Sequence, residues 1–518
     1  MSASREKKQR QGAGPDPRAV KVQQEQAAQK RQTIIYSVTG GVIALLVIAL
    51  LVWRSGFFQS RAAAASIGGE TLTTAELGYY YHSIRQSTAY YAAYGLSTFD
   101  GSKPDDEQFA DEASGQTYRD YFMQVALNNA QQQLALAREA EKQGHTEAEI
   151  KDDLAAQIAQ VQSDAASAGY SYGAYLKAMY GSYMTSGIFE KLCGRYLMAV
   201  MADNEKHEEL YNSYTDADLD AYYEANADDL DTIEYSYLYF PVPSVDTKDE
   251  EGNELDEAEV DKLKEEAKAE TLANAREALE AVKGGSSFDS QMSKYELTSG
   301  ADHATVVGTG SLNSNYSDQL LALGKDQCDM VEMDNGCYVI SFHGRYLDTT
   351  PTRDFRHILA TAATTVDDSG NPVEPIDAAW DSAKAKIEQV QDAWNASSKT
   401  EDDFARLANE NSDDGDGTTG GLYTKNAVNG GLVTEVHDWV FDSARSYGDV
   451  GMVQHVAIPG TSNPYYGYHL IFYVGENDPV WMDTARDALA HEAQEEWLNG
   501  LTAALPVTEQ SGAGYYGS

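Results

Sequence analysis

Two short apolar segments each carry one histidine: Phe355-Arg356-His357-Ile358-Leu359 and Gly467-Tyr468-His469-Leu470-Ile471. A neutral imidazole donates a hydrogen bond through one ring nitrogen and accepts through the other. Two such rings held together can fix each other's tautomers and orient a nearby polar group. Between the two segments run Asp403-Phe404-Ala405-Arg406-Leu407-Ala408, then Ser412-Asp413-Asp414, then Gly420-Gly421-Leu422. Read singly, each histidine is as readily a core residue, and Asp414 a solvated loop aspartate. The information lies in the ordered set.

Other patterns fail on inspection. His491-Glu492-Ala493-Gln494-Glu495 lacks the second histidine of a zinc-protease helix. Asp414-Gly415-Asp416-Gly417-Thr418 starts like a calcium loop, yet the twelfth position is Lys425 rather than Glu. The ten histidines form no other ligand pattern, so no metal and no cofactor is expected. Asn315-Tyr316-Ser317 and Asn395-Ala396-Ser397 are glycosylation sequons, meaningful in a eukaryotic secretory path alone. Three cysteines are too few for a disulfide framework. Cys328 and Cys337 flank a turn at Asp334-Asn335 whose register would not set them opposite each other, so free thiols are expected. Cys193, in a helical segment, reads as a core residue.

From Thr352 to about Asn477 the ordered set resembles the parvulin family of peptidyl-prolyl cis/trans isomerases. Arg356-His357-Ile358-Leu359 is similar to the opening of the family's first strand, and Gly467-Tyr468-His469-Leu470-Ile471 to its last. The resemblance implies that His357 and His469 lie side by side on neighbouring strands. It also implies that Asp414, at the family's acidic or cysteine position, sits beside the rotating carbonyl. These three are the expected catalytic residues. The reaction breaks no bond and uses no metal: an Xaa–Pro bond rotates slowly because its C–N bond is partly double, with a barrier of about 18–20 kcal/mol. Each ~1.4 kcal/mol removed is tenfold in rate. The resemblance further implies an apolar proline pocket after the Gly-Gly loop. Where the family carries a Met and a Phe, this sequence has Leu432 and Val436, with Phe441 further on; Tyr466 stands before Gly-Tyr-His, near where the family has a small hydroxyl residue. These four are the expected substrate-binding residues, and the departures imply catalysis that is weak or lost. No Arg-Lys cluster points to phosphate recognition.

Residues 232–349 echo 350–478. Glu234-Tyr235-Ser236-Tyr237-Leu238 stands where Asp354-Phe355-Arg356-His357-Ile358 stands later, Ser287-Phe288-Asp289-Ser290-Gln291-Met292 parallels Asp403–Ala408, and Gly336-Cys337-Tyr338-Val339-Ile340 parallels Gly467–Ile471. The first repeat therefore has Tyr237 and Tyr338 where the second has His357 and His469. This marks 232–349 as a degenerate parvulin-like domain and 350–478 as the isomerase domain.

Upstream, Ser66 to Thr73 reads as a short strand and turn. Helical patterns follow over Thr74–Tyr94, Tyr118–Gln143, Glu147–Ala168, Tyr172–Tyr180, Ser186–Ala202 and Asp216–Asn226, the last with Leu219, Tyr222 and Tyr223 at helical spacing. Gly68-Gly69-Glu70-Thr71-Leu72-Thr73, Tyr175–Gly181 and Thr215–Asn226 make this part similar to the N-terminal module of the secreted PrsA-like and SurA-like foldases. A final helix from Val480 to about Leu501 carries Trp481, Ala485, Leu489, Ala493, Trp497 and Leu501 four residues apart, a packing face. The resemblance implies that this helix returns to complete the helical module. The expected fold is α+β: a helical chaperone module over 62–231 completed by 479–505, two parvulin-like α/β domains, and a tail over 506–518.

At 518 residues the chain is too long for one core. Its net charge is −44, although the first 32 residues carry eight basic side chains against three acidic ones. So acidic a body repels nucleic acid. Thr33 to Trp53 is uncharged and includes the run Val42 to Val52. About 20 apolar residues span a bilayer, so 33–53 reads as a transmembrane signal anchor; a cleaved leader cut near Ala62 to Ala65 is the alternative. The basic tail 1–32 would stay cytoplasmic, leaving the bulk extracytoplasmic. The expected protein is a membrane-anchored foldase of a Gram-positive bacterium. Its partners would be unfolded or proline-containing exported polypeptides, and it would combine isomerase and chaperone activity. The rival is a non-catalytic holding chaperone or envelope scaffold with degenerate parvulin domains.

Overall fold

The structure is a computed structural model that describes residues 37–51, 56–248, 253–366, 372–415, 417–428, 430–457 and 464–516. It divides into two compact units, 1–210 with 490–518 and 211–489.

In the first unit, strands β1 (Ala63–Ile67) and β2 (Glu70–Thr73) form a hairpin. Gly68 and Gly69 turn it at φ 53° and 82°, a region where a side chain would be strained. Helix α1 (Thr74–Ala93) starts on a capping box between Thr73 and Glu76. Helices α2 (Tyr118–Gln143), α3 (Lys151–Ser167), α4 (Tyr172–Tyr180) and α5 (Ser186–Tyr211) follow. Leu77, Tyr81, Phe122, Leu176 and Leu192 form their shared core. The end of the chain returns to this core. Val507–Glu509 pairs antiparallel with β1, Gln494 Nε2 donates to Asp203, and Tyr516 stacks on Tyr81 at 5.3 Å. Residues 506–518, expected as a tail, thus supply a strand and a buried ring.

Residues 37–51 form a helix with every side chain exposed. Among the described residues no helix is long and apolar enough to cross a membrane. The structure therefore gives no support to the transmembrane helix expected over 33–53. At 1.5 Å per residue the described stretch reaches about 22 Å, short of a ~30 Å hydrocarbon core. The ends of 33–53 and the basic tail 1–32 lie outside the described residues.

The second unit begins with α6 (Asp216–Leu230), read from sequence as the close of the N-terminal module. Its Leu219 packs with Trp481 and Ala485 of the C-terminal helix Val480–Ala503. Two four-stranded antiparallel sheets follow. The first contains β3 (Thr232–Pro241), β4 (Gly300–Val307), β5 (Gln327–Glu332) and β6 (Gly336–Tyr346) in the order β4-β3-β6-β5. Helices α7 (Glu257–Lys283) and α8 (Phe288–Lys294) pack on one face through Leu238, Phe240, Leu279 and Val339. The short α9 (Ser317–Ala322) packs on the other. The second sheet contains β7 (Pro351–Thr361), β8 (Leu422–Asn426), β9 (Val450–His455) and β10 (Gly467–Pro479) in the order β8-β7-β10-β9. Here α10 (Asp377–Ala396) and α11 (Glu401–Asn411) cover one face, and α12 (Thr434–Val440) lies against the other. Matching strand orders make the internal repeat visible. In the first sheet Cys328 pairs with Ser341 and Cys337 with Glu332, so the two thiols are not opposite, and both are free.

Candidate active site

Alternation along β7 and β10 sorts their side chains to two faces. Ile358, Ala360, Leu470 and Phe472 meet α10 and α11 around Ile387, Trp394 and Phe404. His357 and His469 point to the other face. His357 lies opposite Ile471, and His469 opposite Leu359, so the histidines are diagonal neighbours. Their ring centroids are 5.1 Å apart at 53°.

The loop after α11 is pinned to the end of β7. Leu359 N donates to Ser412 Oγ at 3.1 Å, Asp413 N to Leu359 O at 2.9 Å, and Thr361 N to Asp413 Oδ2 at 2.9 Å. This places the Asp414 carboxylate 3.1 Å from His357 Nε2. Gly421, at φ 66°, passes so close to β7 that an added Cβ would lie 2.2 Å from the His357 carbonyl oxygen. The Gly-Gly bend thereby brings β8 alongside. From β8, Tyr423 donates to Asp414 Oδ2 at 2.8 Å and stacks on Phe355 at 5.3 Å and 11°.

These groups border a cavity of about 450 Å³ whose apolar wall includes Phe355, Leu432, Val433 and Val436. Leu432 and Val436 thus line this cavity. Phe441 does not reach the lining; it packs below, stacked on His437 at 5.0 Å. Tyr466 is also misplaced by the sequence reading. It shares a face with Tyr468 and packs on Trp380, Ala362 and Ala383, away from the cavity. Its neighbour Tyr465 has the parity of His469 and lines the cavity in its stead, with its hydroxyl 3.3 Å from His469 Nε2.

Burial pulls the His357 imidazole down to about 4, with Asp414 opposing. Burial, aided by His357 and His455 and opposed by Asp414, pulls His469 down to about 3. Both rings are neutral at pH 7. The His357–Asp414 contact is therefore a hydrogen bond from Nε2–H to the carboxylate, although its 3.1 Å length would suit an ion pair. Burial pushes Tyr423 up to about 12, reinforced by its bond to Asp414, and burial pushes Tyr465 up to about 12 as well. Both phenols keep their protons. Nδ1 of each histidine is buried with no hydrogen-bond partner among the described residues.

The first repeat has the same frame with other contents. Tyr237 lies opposite Ile340, with Tyr338 two residues before it, which matches His357, Ile471 and His469. Tyr316, 2% exposed, packs against both, at 6.0 Å from Tyr237 and 5.0 Å from Tyr338. A hydrogen-bond chain Ser236–His343–Asp326 also runs here, with Ser236 Oγ 2.6 Å from His343 Nε2 and His343 Nδ1 3.2 Å from Asp326. It has the connectivity of a hydrolase triad. Yet Ser236 is 1% exposed and its hydroxyl donates to the Asp302 carbonyl, so no substrate reaches a free nucleophile.

Sequence reasoning missed Tyr423 and Tyr465. Counting back in twos from His469 would have found Tyr465.

No protein-family model matches the chain, and no curated protein matches it. Among solved structures it is similar to a peptidylprolyl isomerase (PrsA) from Bacillus anthracis, at 14% identity over 42% of this chain and 79% of that one, with a TM-score of 0.17. It is also similar to the foldase protein PrsA from Streptococcus pneumoniae, at 13% identity over 57% of this chain and 88% of that one, with a TM-score of 0.16. At such scores these likenesses decide neither fold nor function. The α+β architecture stands on the chain's own strands and helices.

Proposed function

We propose that this chain is a parvulin-type peptidyl-prolyl cis/trans isomerase and foldase for exported polypeptides, with its active site in residues 350–478. The observation that carries this is two buried neutral histidines, 5.1 Å apart, set against Asp414 over an apolar cavity. A proline ring seats on Leu432, Val433 and Val436. Leaving water removes the hydrogen bonds that favour the charge-separated resonance form of the amide. The Asp414 carboxylate, held by His357 and Tyr423, opposes negative charge on the carbonyl oxygen. Both effects weaken the C–N double-bond character and favour the twisted state over the planar one.

The rest of the reading concerns place and clients. The basic leader and the apolar run 33–53 support an anchor with its N-terminus cytoplasmic and the acidic bulk extracytoplasmic, in a Gram-positive envelope. The helical unit, with Tyr90, Tyr91, Tyr94 and Leu96 exposed at the end of α1, offers apolar surface to unfolded chains. The second reading, a holding chaperone without catalysis, draws on Phe441 lying off the cavity wall, which leaves the pocket without the family's aromatic floor. An isomerisation assay on Xaa–Pro peptides with the full chain separates the two. Acceleration supports the isomerase. No acceleration, with suppression of client aggregation retained, overturns it in favour of holding.

A further inference from the structure

We infer that Tyr465, braced by His455 and Glu435, is a positioning residue that fixes the tautomer of His469 and so sets the direction of the hydrogen-bond chain through the active site. The inference rests on the isomerase reading for its catalytic consequence, but its geometry stands apart from it. His455 closes β9, buried opposite Gly467. Its Nδ1 is 2.9 Å from Glu435 Oε2 in the first turn of α12. A carboxylate accepts, so this nitrogen carries a proton and the ring is fixed. The ring packs on Tyr465 at 4.6 Å, and Tyr465 places its hydroxyl 3.3 Å from His469 Nε2.

Hydrogen-bond accounting from both ends gives a single solution. At one end His357 Nε2–H donates to Asp414, which leaves His357 Nδ1 bare. At the other, the protonated Tyr465 hydroxyl donates to His469 Nε2, which puts the His469 proton on Nδ1. The two Nδ1 atoms, both buried and with no partner among the described residues, are then one acceptor and one donor on adjacent rings. The reverse tautomer of His469 would leave two bare lone pairs in adjacent buried rings. Each unmet buried group carries a desolvation penalty. Among the described residues the first repeat has no such brace: its strands β5 and β6 join across Glu332 to Gly336, whereas the sequence between His455 of β9 and Gly467 of β10 is longer and includes Tyr465.

The test is ring-nitrogen NMR on the full chain labelled at histidine, with His469 assigned by loss of its signals in His469→Asn. The wild type should show His469 protonated on Nδ1. Tyr465→Phe, which keeps the ring and its packing, should shift His469 toward a tautomer mixture, and Glu435→Gln should do so partially. In the isomerase assay Tyr465→Phe and His455→Ala should each lower kcat about five-fold, with KM unchanged and no further loss in the double variant. An unchanged His469 tautomer in folded Tyr465→Phe overturns the inference. A shifted tautomer in a protein whose wild type isomerises nothing upholds the brace and overturns the isomerase reading instead.

Discussion

In the first repeat Tyr237 stands opposite Ile340, and in the second His357 stands opposite Ile471. Tyr338 and His469 occupy equal places two residues upstream of those partners. Strand order and register are the same, yet one face is packed and the other holds a cavity. The difference lies in what meets the paired positions. Tyr316 brings a buried ring against the two tyrosines, whereas the second repeat brings the small acid Asp414 and the shorter aliphatics Leu432 and Val436. Phenols cannot stand in for imidazoles in a tautomer-linked chain, because each offers one oxygen where imidazole offers two separate nitrogens. One backbone plan thus serves as a packed core in one copy and, in the other, as an apolar-walled cavity bordered by a few polar groups.

That contrast can be broken most forcefully at Tyr316. Tyr316→Ala should remove roughly 3–5 kcal/mol from the stability of the second unit, as for other large buried aromatics, while leaving isomerase activity intact in the folded variant. Urea denaturation beside the peptide assay checks both. Lost activity with the fold intact would show that the first repeat is part of the active site.

The next largest effect is a pH dependence that the histidine pair gives the second repeat. His357 and His469 are neutral in the folded state down to about 4 and about 3, against an ordinary value of 6.5. Between those limits the unfolded chain binds protons that the folded chain refuses, so stability falls as pH drops below 6.5. It levels off once pH passes the folded values. A shift from 6.5 to about 4 corresponds to roughly 3 kcal/mol for His357. Many carboxylates titrate in the same range, so the measurement is a difference: wild type against His357→Tyr/His469→Tyr, by urea denaturation at pH 7 and pH 4.5. The variant should lose less stability on acidification. Equal losses would contradict buried neutral histidines.

Smaller effects sharpen the polar arm. Asp414→Asn should lower kcat/KM about tenfold, equivalent to ~1.4 kcal/mol. Tyr423→Phe, which removes a hydrogen bond to that carboxylate, should cost about three-fold. If Tyr423→Phe proved the more damaging, Tyr423 rather than Asp414 would be the group nearest the rotating bond.

The repeat was legible because period-two alternation in Tyr235-Ser236-Tyr237, Phe355-Arg356-His357 and Gly467–Ile471 decides which side chains share a face. Gly420-Gly421 likewise marked the bend that β8 needs. Tyr466 was misread by one residue, and in a strand one residue is the other face. Tyr316 left no signal, since it reaches the paired tyrosines through a contact distant in sequence. The stripe on α6 showed that Leu219 is buried but not that Trp481 covers it. The strand Val507–Glu509 is too short for periodicity, and its partner β1 lies at the other end of the chain.

We propose that the histidine pair, and not the shared frame, makes the second repeat an isomerase site. The direct measurement is the rate of Xaa–Pro isomerisation by the full chain against its His357→Tyr/His469→Tyr variant, which gives the second repeat the side chains of the first. The wild type should accelerate isomerisation, and the variant should lose roughly 100-fold, about 2.7 kcal/mol, with its circular dichroism unchanged. A folded variant that isomerises as fast as the wild type would contradict it.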